Sequence, residues 1–209
     1  MMKLFLISLF SLFFINSFSQ KIDTIITTNA YTSYFSYTTH TPLFVTYKLF
    51  KGGGDIPRIT MYFTTGGILQ SADRQDYSRS GYDIGHMANA EDFAFDYAKE
   101  ESTFRFYNAL PQTPKLNRGT WKALEFSVRK DSQTDTILII CGGYQFNELM
   151  HDRVGVPAYC YKIVKNLKTK TVSCYLFPNN DSNTRTTLAL KELLKKIPYK
   201  TDKIVKTLK

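Results

Sequence analysis

One histidine of this chain stands in a segment suited to acid-base chemistry. His86 lies in the stretch Ser-Gly-Tyr-Asp-Ile-Gly-His-Met-Ala. Within it, Gly85 permits close approach of the backbone, and Asp83 supplies a carboxylate beside the imidazole, although this aspartate could equally cap a turn. An imidazole ordinarily has a pKa of about 6.5 and can accept a proton near neutral pH. The other two histidines stand in ordinary loop contexts, so His86 is the candidate for chemistry.

Two further blocks of polar residues follow His86. The stretch Tyr-Asn-Ala-Leu-Pro-Gln contains Asn108 and Gln112, and the stretch Leu-Asn-Arg-Gly-Thr-Trp-Lys-Ala-Leu-Glu contains Asn117 and Glu125. Asn117 and Glu125 stand eight residues apart, which places them about 80° apart around a helix, close enough to line one cleft. A single asparagine or glutamate on a helix is usually a solvated surface residue, so only the joint pattern indicates a site.

The elements that must position these residues mix strands and helices without a regular strand-helix alternation. β-branched, aromatic and apolar runs predict strands over 43–50, 104–110 and 136–141. Helical spacing of apolar residues predicts helices over 116–129 and 184–197, and residues 199–209 are expected to be a short, solvated basic tail. The pattern favours a single α+β domain over residues 20–209.

Three cysteines leave at least one thiol unpaired. Cys160 and Cys174 lie in two alternating segments that could form a hairpin. If the hairpin is centred on Leu167, these two cysteines lie opposite each other and could form a disulfide, but buried free thiols fit the sequence equally well. No Cys-x-x-Cys spacing suggests zinc or redox chemistry.

The first 19 residues have the layout of a secretory signal peptide. Lys3 precedes an apolar run from Leu4 to Ile15, and small and polar residues follow it. This run is shorter than the roughly 20 residues that a spanning helix needs. We expect cleavage after Ser19, which gives a secreted or periplasmic protein without stable membrane insertion; the alternative is an uncleaved anchor helix.

Composition narrows the classes of function. The 209 residues include 27 Lys and Arg against 18 Asp and Glu, a net charge of +9, and 43% of the residues are hydrophobic. A chain this apolar is not wholly disordered. Its positive charge attracts polyanions such as nucleic acid, anionic lipid or polysaccharide, among which charge alone does not choose.

In their order and spacing, the three blocks resemble the DNA/RNA non-specific endonuclease family, which comprises secreted nucleases indifferent to the sugar. The family signature reads Ser-Gly-Tyr-Asp-Arg-Gly-His-Met-Ala, then Asn-x-x-Pro-Gln, then Leu-Asn-x-Gly-x-Trp-x-x-Leu-Glu. The resemblance extends weakly over about 29–177. It implies a ββα-metal fold, with a mostly antiparallel central sheet flanked by helices.

The resemblance also implies roles for individual residues. It makes His86 the general base, Asn117 the direct ligand of Mg²⁺, and Glu125 a helper to the hydrated metal. The implied supports of the site are Asp83, Asn108 and Gln112. The implied cofactor is Mg²⁺, with Mn²⁺ or another divalent cation as a substitute, and the implied partners are DNA and RNA. No protein partner can be inferred.

These roles are physically consistent. Phosphodiester hydrolysis needs an activated water and neutralisation of the charge that develops on the phosphoryl oxygens. Mg²⁺ keeps most of its waters, so the oxygen of Asn117 and a substrate phosphate can hold it without a cage of carboxylates. Arg74 and Arg79 are the cations expected to contact the substrate backbone near His86.

The chain departs from the family pattern at two positions. Ile84 replaces the arginine of Asp-Arg-Gly-His, which removes a cation from beside the scissile phosphate, and Asn89 stands where the family usually has proline. These differences support an alternative, a catalytically weak or inactive secreted protein that binds nucleic acid on the nuclease scaffold. A basic protein that binds surfaces or matrix is a third hypothesis, but it explains only the charge.

Overall fold

The computed structural model describes residues 20–209, so the predicted signal peptide lies outside the described residues. Strands in the described chain are β1 (Thr24–Thr27), β2 (Thr32–Ser36), β3 (Thr41–Leu49), β4 (Asp83–His86), β5 (Ala109–Gln112), β6 (Ile137–Tyr144), β7 (Glu148–Met150), β8 (Val154–Val156), β9 (Tyr159–Asn166), β10 (Val172–Pro178) and β11 (Thr186–Leu188). Seven of them form one antiparallel sheet in the order β1-β2-β3-β6-β9-β10-β11. Two small antiparallel pairs, β4-β5 and β7-β8, stand beside it.

The middle of the large sheet is formed by its most apolar strands. Every residue of β6 is buried, and Leu43, Phe44 and Val45 of β3 have no exposed surface. Tyr47 of β3 lies opposite Ile139 of β6. A strand covered on both faces has a continuous apolar run rather than an alternating pattern, as the sequence predicted for these two segments.

The helices are α1 (Arg74–Tyr77), α2 (Tyr97–Thr103), α3 (Pro114–Leu116), α4 (Lys122–Asp131), α5 (Leu190–Lys196) and α6 (Asp202–Leu208). A π-helical turn, Asn117–Trp121, joins α3 to α4. Trp121 and Leu124 are buried in the main core, where the Trp121 ring lies 5.2 Å from that of Phe177 on β10. A mostly antiparallel sheet flanked by helices confirms the predicted α+β class.

The hairpin β4-β5 and the helical run after it form a ββα unit. Asp83 lies opposite Gln112 and His86 opposite Ala109 in this hairpin. Thr113 caps the following helix by accepting a hydrogen bond from the Leu116 amide at 3.4 Å. The unit therefore brings all three polar blocks of the sequence together.

The C-terminal segment differs from its prediction. A strand, β11, and a shorter helix, α5, occupy the region expected to be one helix over 184–197. The expected solvated tail contains α6, with Ile204 fully buried. The hydroxyl of Tyr199 donates to the backbone carbonyl of Leu43 at 3.0 Å. Apolar contacts of Tyr199 and Ile204 with the core thus outweigh the solvation of the lysines around them.

The predicted opposition of Cys160 and Cys174 is wrong. The hairpin of β9 and β10 pairs Cys160 with Phe177 and Cys174 with Ile163, because the turn is centred beyond Leu167. Both thiols are free and buried, which was the alternative left open by the sequence.

Candidate active site

A cleft of about 780 Å³ opens where the ββα unit meets the loop before α1. The predicted residues His86, Asn117 and Glu125 all line it. Asn117 and Glu125 reach the same cleft, as expected, but Asn117 lies in a π-helical turn, so the angle calculated for a regular helix does not apply between them.

His86 stands at the end of β4 with its ring between two aromatic side chains. The ring centroids of Phe63 and Phe104 lie 4.7 Å and 5.0 Å from that of the imidazole. Nε2 is enclosed and has no hydrogen-bond partner among the described residues. Burial, reinforced by the nearby positive charge of Arg58, lowers the pKa of His86 to about 3. The imidazole is therefore neutral at neutral pH.

Asn108 fixes the backbone just after His86, at Ala88. This fully buried side chain accepts a hydrogen bond from the Ala88 amide and donates one to the Ala88 carbonyl, both at 2.9 Å. Its amide also donates to the carbonyl of Thr103 on α2 at 2.9 Å. Because all these bonds are internal, Asn108 positions the site from behind and does not face the cleft.

Gln112 occupies the space that the missing side chain of Gly85 leaves. A Cβ on Gly85 would lie only 2.2 Å from Oε1 of Gln112. The Gln112 side chain is buried, and its Nε2 lies 3.5 Å from the Sγ of Cys160. The glycine before the histidine is therefore required by close packing within the β4-β5 hairpin.

Asp83 orients the side chain of Asn117. The Asn117 Nδ2 donates to Oδ2 of Asp83 at 2.9 Å, and Arg118 donates to both carboxylate oxygens at 2.8 Å and 2.6 Å. Burial alone would raise the pKa of Asp83, but the hydrogen bonds from Arg118 and Asn117 outweigh it and lower the pKa. With its nitrogen held by Asp83, Asn117 keeps its amide oxygen free of hydrogen bonds from residues 20–209.

The π-helical turn that starts at Asn117 is supported from outside. Asn183 accepts a hydrogen bond from the Thr120 amide at 2.8 Å, and a Cβ on Gly119 would lie 2.2 Å from the same Oδ1 atom. π-Helical turns within helices are found frequently at functional sites. Here the turn interrupts the regular helix that the sequence predicted over 116–129.

Glu125 is held by two protein donors. Lys162 on β9 donates to Oε1 at 3.2 Å, and the Asn89 side-chain amide donates to Oε2. The Nζ of Lys162 also lies 4.1 Å from the centroid of the Trp121 ring. Both members of the ion pair are buried, with side-chain exposures of 1% for Lys162 and 7% for Glu125. The carboxylate of Glu125 is therefore fixed at the floor of the cleft.

The cations of the cleft differ from the expected ones. Arg79 lines a separate depression with His151 and Arg153, and the guanidinium of Arg74 lies 5.8 Å from the Tyr62 ring, so neither lines the cleft. The basic residues that line it are Arg58, Arg118, Lys122 and Arg129. The prediction from Arg74 and Arg79 relied on proximity in sequence, whereas the fold brings in a distant loop and the face of α4.

Several residues of the site were not identified from the sequence, and Arg58, Lys162 and Asn89 are the most informative of them. Arg58 comes from a loop without a motif, and Lys162 from a strand in which a buried lysine is unexpected. Asn89 was noted only as a departure from the family, yet its Oδ1 accepts the Glu91 amide at 2.7 Å while its amide holds Glu125. An asparagine before a polar turn is an N-cap signal that could have identified it.

The donor set bears on metal binding. Among residues 20–209, no three His, Cys, Asp or Glu side chains cluster in a way that could hold a metal ion. A hard cation that keeps its waters needs only the oriented oxygen of Asn117 and a nearby carboxylate such as Glu125. The residues present therefore fit a hydrated divalent cation and do not fit a structural metal centre.

Comparison with known proteins finds similar chains. A nuclease from Nostoc sp. is 38% identical over 90 residues, which cover 42% of this chain and 33% of that protein. Mitochondrial endonuclease G from Bos taurus is 27% identical over 107 residues, covering 44% and 36%. The chain thus matches about a third of the length of these curated relatives. The crystal structure of a complex of EndoG with EndoGI shares the fold, with a TM-score of 0.72, 21% identity and 82% of each chain covered. The family model described as DNA/RNA non-specific endonuclease matches residues 11–202, and the chain belongs to this family.

Proposed function

We propose that this protein is a divalent-metal-dependent endonuclease that cleaves DNA and RNA with little sequence preference, with Mg²⁺ as the natural cation. The observation that carries the proposal is the hydrogen bond from Asn117 to Asp83. It leaves the uncharged oxygen of Asn117 available in a cleft that is also lined by a neutral histidine. A phosphodiesterase that uses a hydrated cation needs this combination of a ligand and a base.

His86 would serve as the general base. Its imidazole lines the cleft and is neutral at physiological pH, so a ring nitrogen keeps its lone pair for the proton of the attacking water. A bound anionic phosphate would raise the low pKa of the ring towards the range of an effective base. Phe63 and Phe104 fix the ring plane, and Asn108 fixes the backbone after it. These contacts prepare the base before substrate binds.

Asn117 would hold the cation, and Glu125 would accept hydrogen bonds from its hydration shell. When bound, the cation would neutralise charge on the phosphoryl oxygens and assist departure of the 3′ oxygen. Lys162 and Asn89 keep the Glu125 carboxylate in place for this role. Lys122 would attract the phosphate backbone irrespective of sequence, and Arg58 and Arg118 would add to the positive potential although each is paired with a carboxylate.

Incubation of residues 20–209 with circular plasmid and with RNA tests the proposal. We expect cleavage of both in Mg²⁺ and none in EDTA, and Asn117→Ala should need more Mg²⁺. Cleavage that persists in EDTA would contradict the mechanism. Retention on a gel without cutting in Mg²⁺ would favour the binding protein, an alternative for which Ile84 in the cleft is the supporting observation.

We further propose that the protein is exported to the periplasm or medium and that cleavage occurs after Ser19. The support is the sequence layout of residues 1–19 alone. N-terminal sequencing of the protein recovered from its native host outside the cytoplasm would be expected to begin at Gln20. Recovery of uncleaved chain in the membrane fraction would indicate an anchor instead.

A further inference from the structure

One face of α4 carries an aromatic side chain beside the proposed catalytic centre. Lys122, Glu125, Phe126 and Arg129 recur at helical spacing, and all four line the cleft. Phe126 directly follows Glu125 in sequence and lines the same cleft, so a polynucleotide bound in the cleft would run near its ring. None of the roles assigned above uses this phenylalanine.

Phe126 is largely exposed. Its exposed fraction is 68%, and no aromatic ring of the described chain pairs with it. Isolated exposed apolar residues are common, so exposure alone indicates nothing. The position of Phe126 is the distinguishing observation, because it lies between the cleft and a second, shallow depression of about 170 Å³ that is lined also by Arg129, Lys130 and Gln133.

Positive charges stand on both sides of the ring. Lys122 lines the cleft and Lys130 the shallow depression, and within residues 20–209 neither forms an ion pair. Arg129, in contrast, donates a hydrogen bond to Asp92 at 2.9 Å, so its charge is already paired with a carboxylate. An aromatic platform between unpaired cations is the arrangement that proteins use to bind single-stranded nucleic acid.

We propose that Phe126 is the stacking platform of a nucleotide subsite that selects unpaired bases of the polynucleotide substrate. This inference rests on the proposed nuclease function and names its preferred substrate. In a duplex, each base face is covered by its neighbours, so the ring can stack only where the strand is unpaired. Every base has a π-face and the ring contacts no sugar, so the subsite accepts DNA and RNA alike.

The test compares oligonucleotides with and without bases. Binding of the protein to labelled oligothymidylate, oligouridylate and an abasic oligomer of equal length is measured in EDTA, where the proposed cleavage is suppressed. Wild type should bind both base-containing oligomers about tenfold more tightly than the abasic one. Phe126→Ala should lose this difference, and Phe126→Trp should keep it. Phe50→Ala is the matched control, because Phe50 is 50% exposed beside a lysine but outside the cleft.

Equal affinity of wild type for base-containing and abasic oligomers would overturn the subsite, as would an undiminished difference in Phe126→Ala. Cleavage in Mg²⁺ separates this failure from failure of the proposed function. If wild type cuts and Phe126→Ala slows single-stranded and duplex substrates equally, only the subsite is refuted. If wild type cuts neither, the nuclease proposal itself fails.

Discussion

The ammonium group of Lys162 on β9 lies 3.2 Å from the carboxylate of Glu125 on α4, in a place where solvent reaches neither side chain freely. The ring of Trp121 covers the same ammonium group at 4.1 Å. Removing charges from water is costly, and a buried charge without its partner is far costlier than the pair. Through this ion pair, strand β9 of the central sheet fixes the position of the Glu125 carboxylate in the cleft.

Lys162→Met should lower the free energy of unfolding by about 3–5 kcal/mol, because it leaves Glu125 buried without a counter-charge. Urea unfolding measures this loss. The matched control is Lys168→Met, which removes an ion pair with Asp135 whose ammonium group is solvent-exposed, and which should cost less than about 1 kcal/mol. The double variant Lys162→Met, Glu125→Gln should recover most of the loss. Equal losses for the two lysine variants would refute the interpretation of the buried pair.

Asp83 should control metal affinity indirectly, because it holds the side chain of Asn117, the proposed metal ligand, by a hydrogen bond. Asp83→Ala releases the Asn117 amide, and loss of such an orienting partner typically weakens metal binding by about 10- to 100-fold. The Mg²⁺ concentration for half-maximal cleavage should rise accordingly. Asp181→Ala breaks an exposed pair with Lys115 and serves as the control. An unchanged Mg²⁺ dependence in Asp83→Ala would remove this positioning role.

His86 and Asn117 should give separable phenotypes. A general base contributes about 10²- to 10⁴-fold to the rate, so His86→Ala should lose at least that much turnover. Its Mg²⁺ affinity, measured by calorimetry, should stay close to that of wild type. Asn117→Ala should instead weaken Mg²⁺ binding and lower the rate together. Activity of His86→Ala within a few-fold of wild type would exclude His86 as the base.

The environment of His86 also makes folding stability depend on pH. Burial and the charge of Arg58 lower its pKa to about 3 in the folded state, whereas in the unfolded chain it is about 6.5. Between these values the unfolded chain binds the extra proton, so the contribution of His86 is complete above pH 6.5 and is lost as the pH falls towards 3. His86→Phe keeps an aromatic ring between Phe63 and Phe104 but cannot titrate. Across this range wild type should lose more stability on acidification than His86→Phe, and parallel curves would contradict the assignment.

The sequence could predict much of the ββα unit because its requirements are local. Gly85 is needed for close packing in the hairpin, and Asn117 and Glu125 lie in one short helical segment, although a π-helical turn interrupts its regular spacing. The large sheet was predicted only in part. Central strands such as β6 have continuous apolar runs, whereas the strand expected over 104–110 begins only at Ala109, after a 3-10 turn.

Residues whose roles depend on distant partners could not be predicted. Lys162 lies on a strand that pairs far from the motif, and its burial makes sense only once Glu125 and Trp121 are placed beside it. Arg58 reaches the cleft because its guanidinium bonds Glu91 and the fully buried Glu100. Nothing in the local sequence records these contacts. For the same reason Arg74 and Arg79 were attractive candidates that the fold directs elsewhere.

Ile84 both faces the cleft and packs against the protein. Its side chain lines the cleft, and it also packs against a small cluster that includes Tyr77 and Phe106. It is only half-buried, so a longer side chain can extend into the open cleft from the same position. The family arginine at this position would therefore place its charge beside His86. In this chain, Arg58 is the cation whose charge lowers the pKa of His86.

Ile84→Arg should raise kcat/KM by about tenfold, equivalent to about 1.4 kcal/mol, because a charge-assisted donor then meets the phosphoryl group in the transition state. The salt dependence of cleavage should also steepen, since one more phosphate is neutralised. Ile84→Met, which fills similar space without charge, should leave both quantities near those of wild type. Cleavage rates over a salt series, with the Tm of each variant, decide the matter. A lower Tm of Ile84→Arg with an unchanged or lower rate would show that packing against Tyr77 and Phe106 dominates at this position.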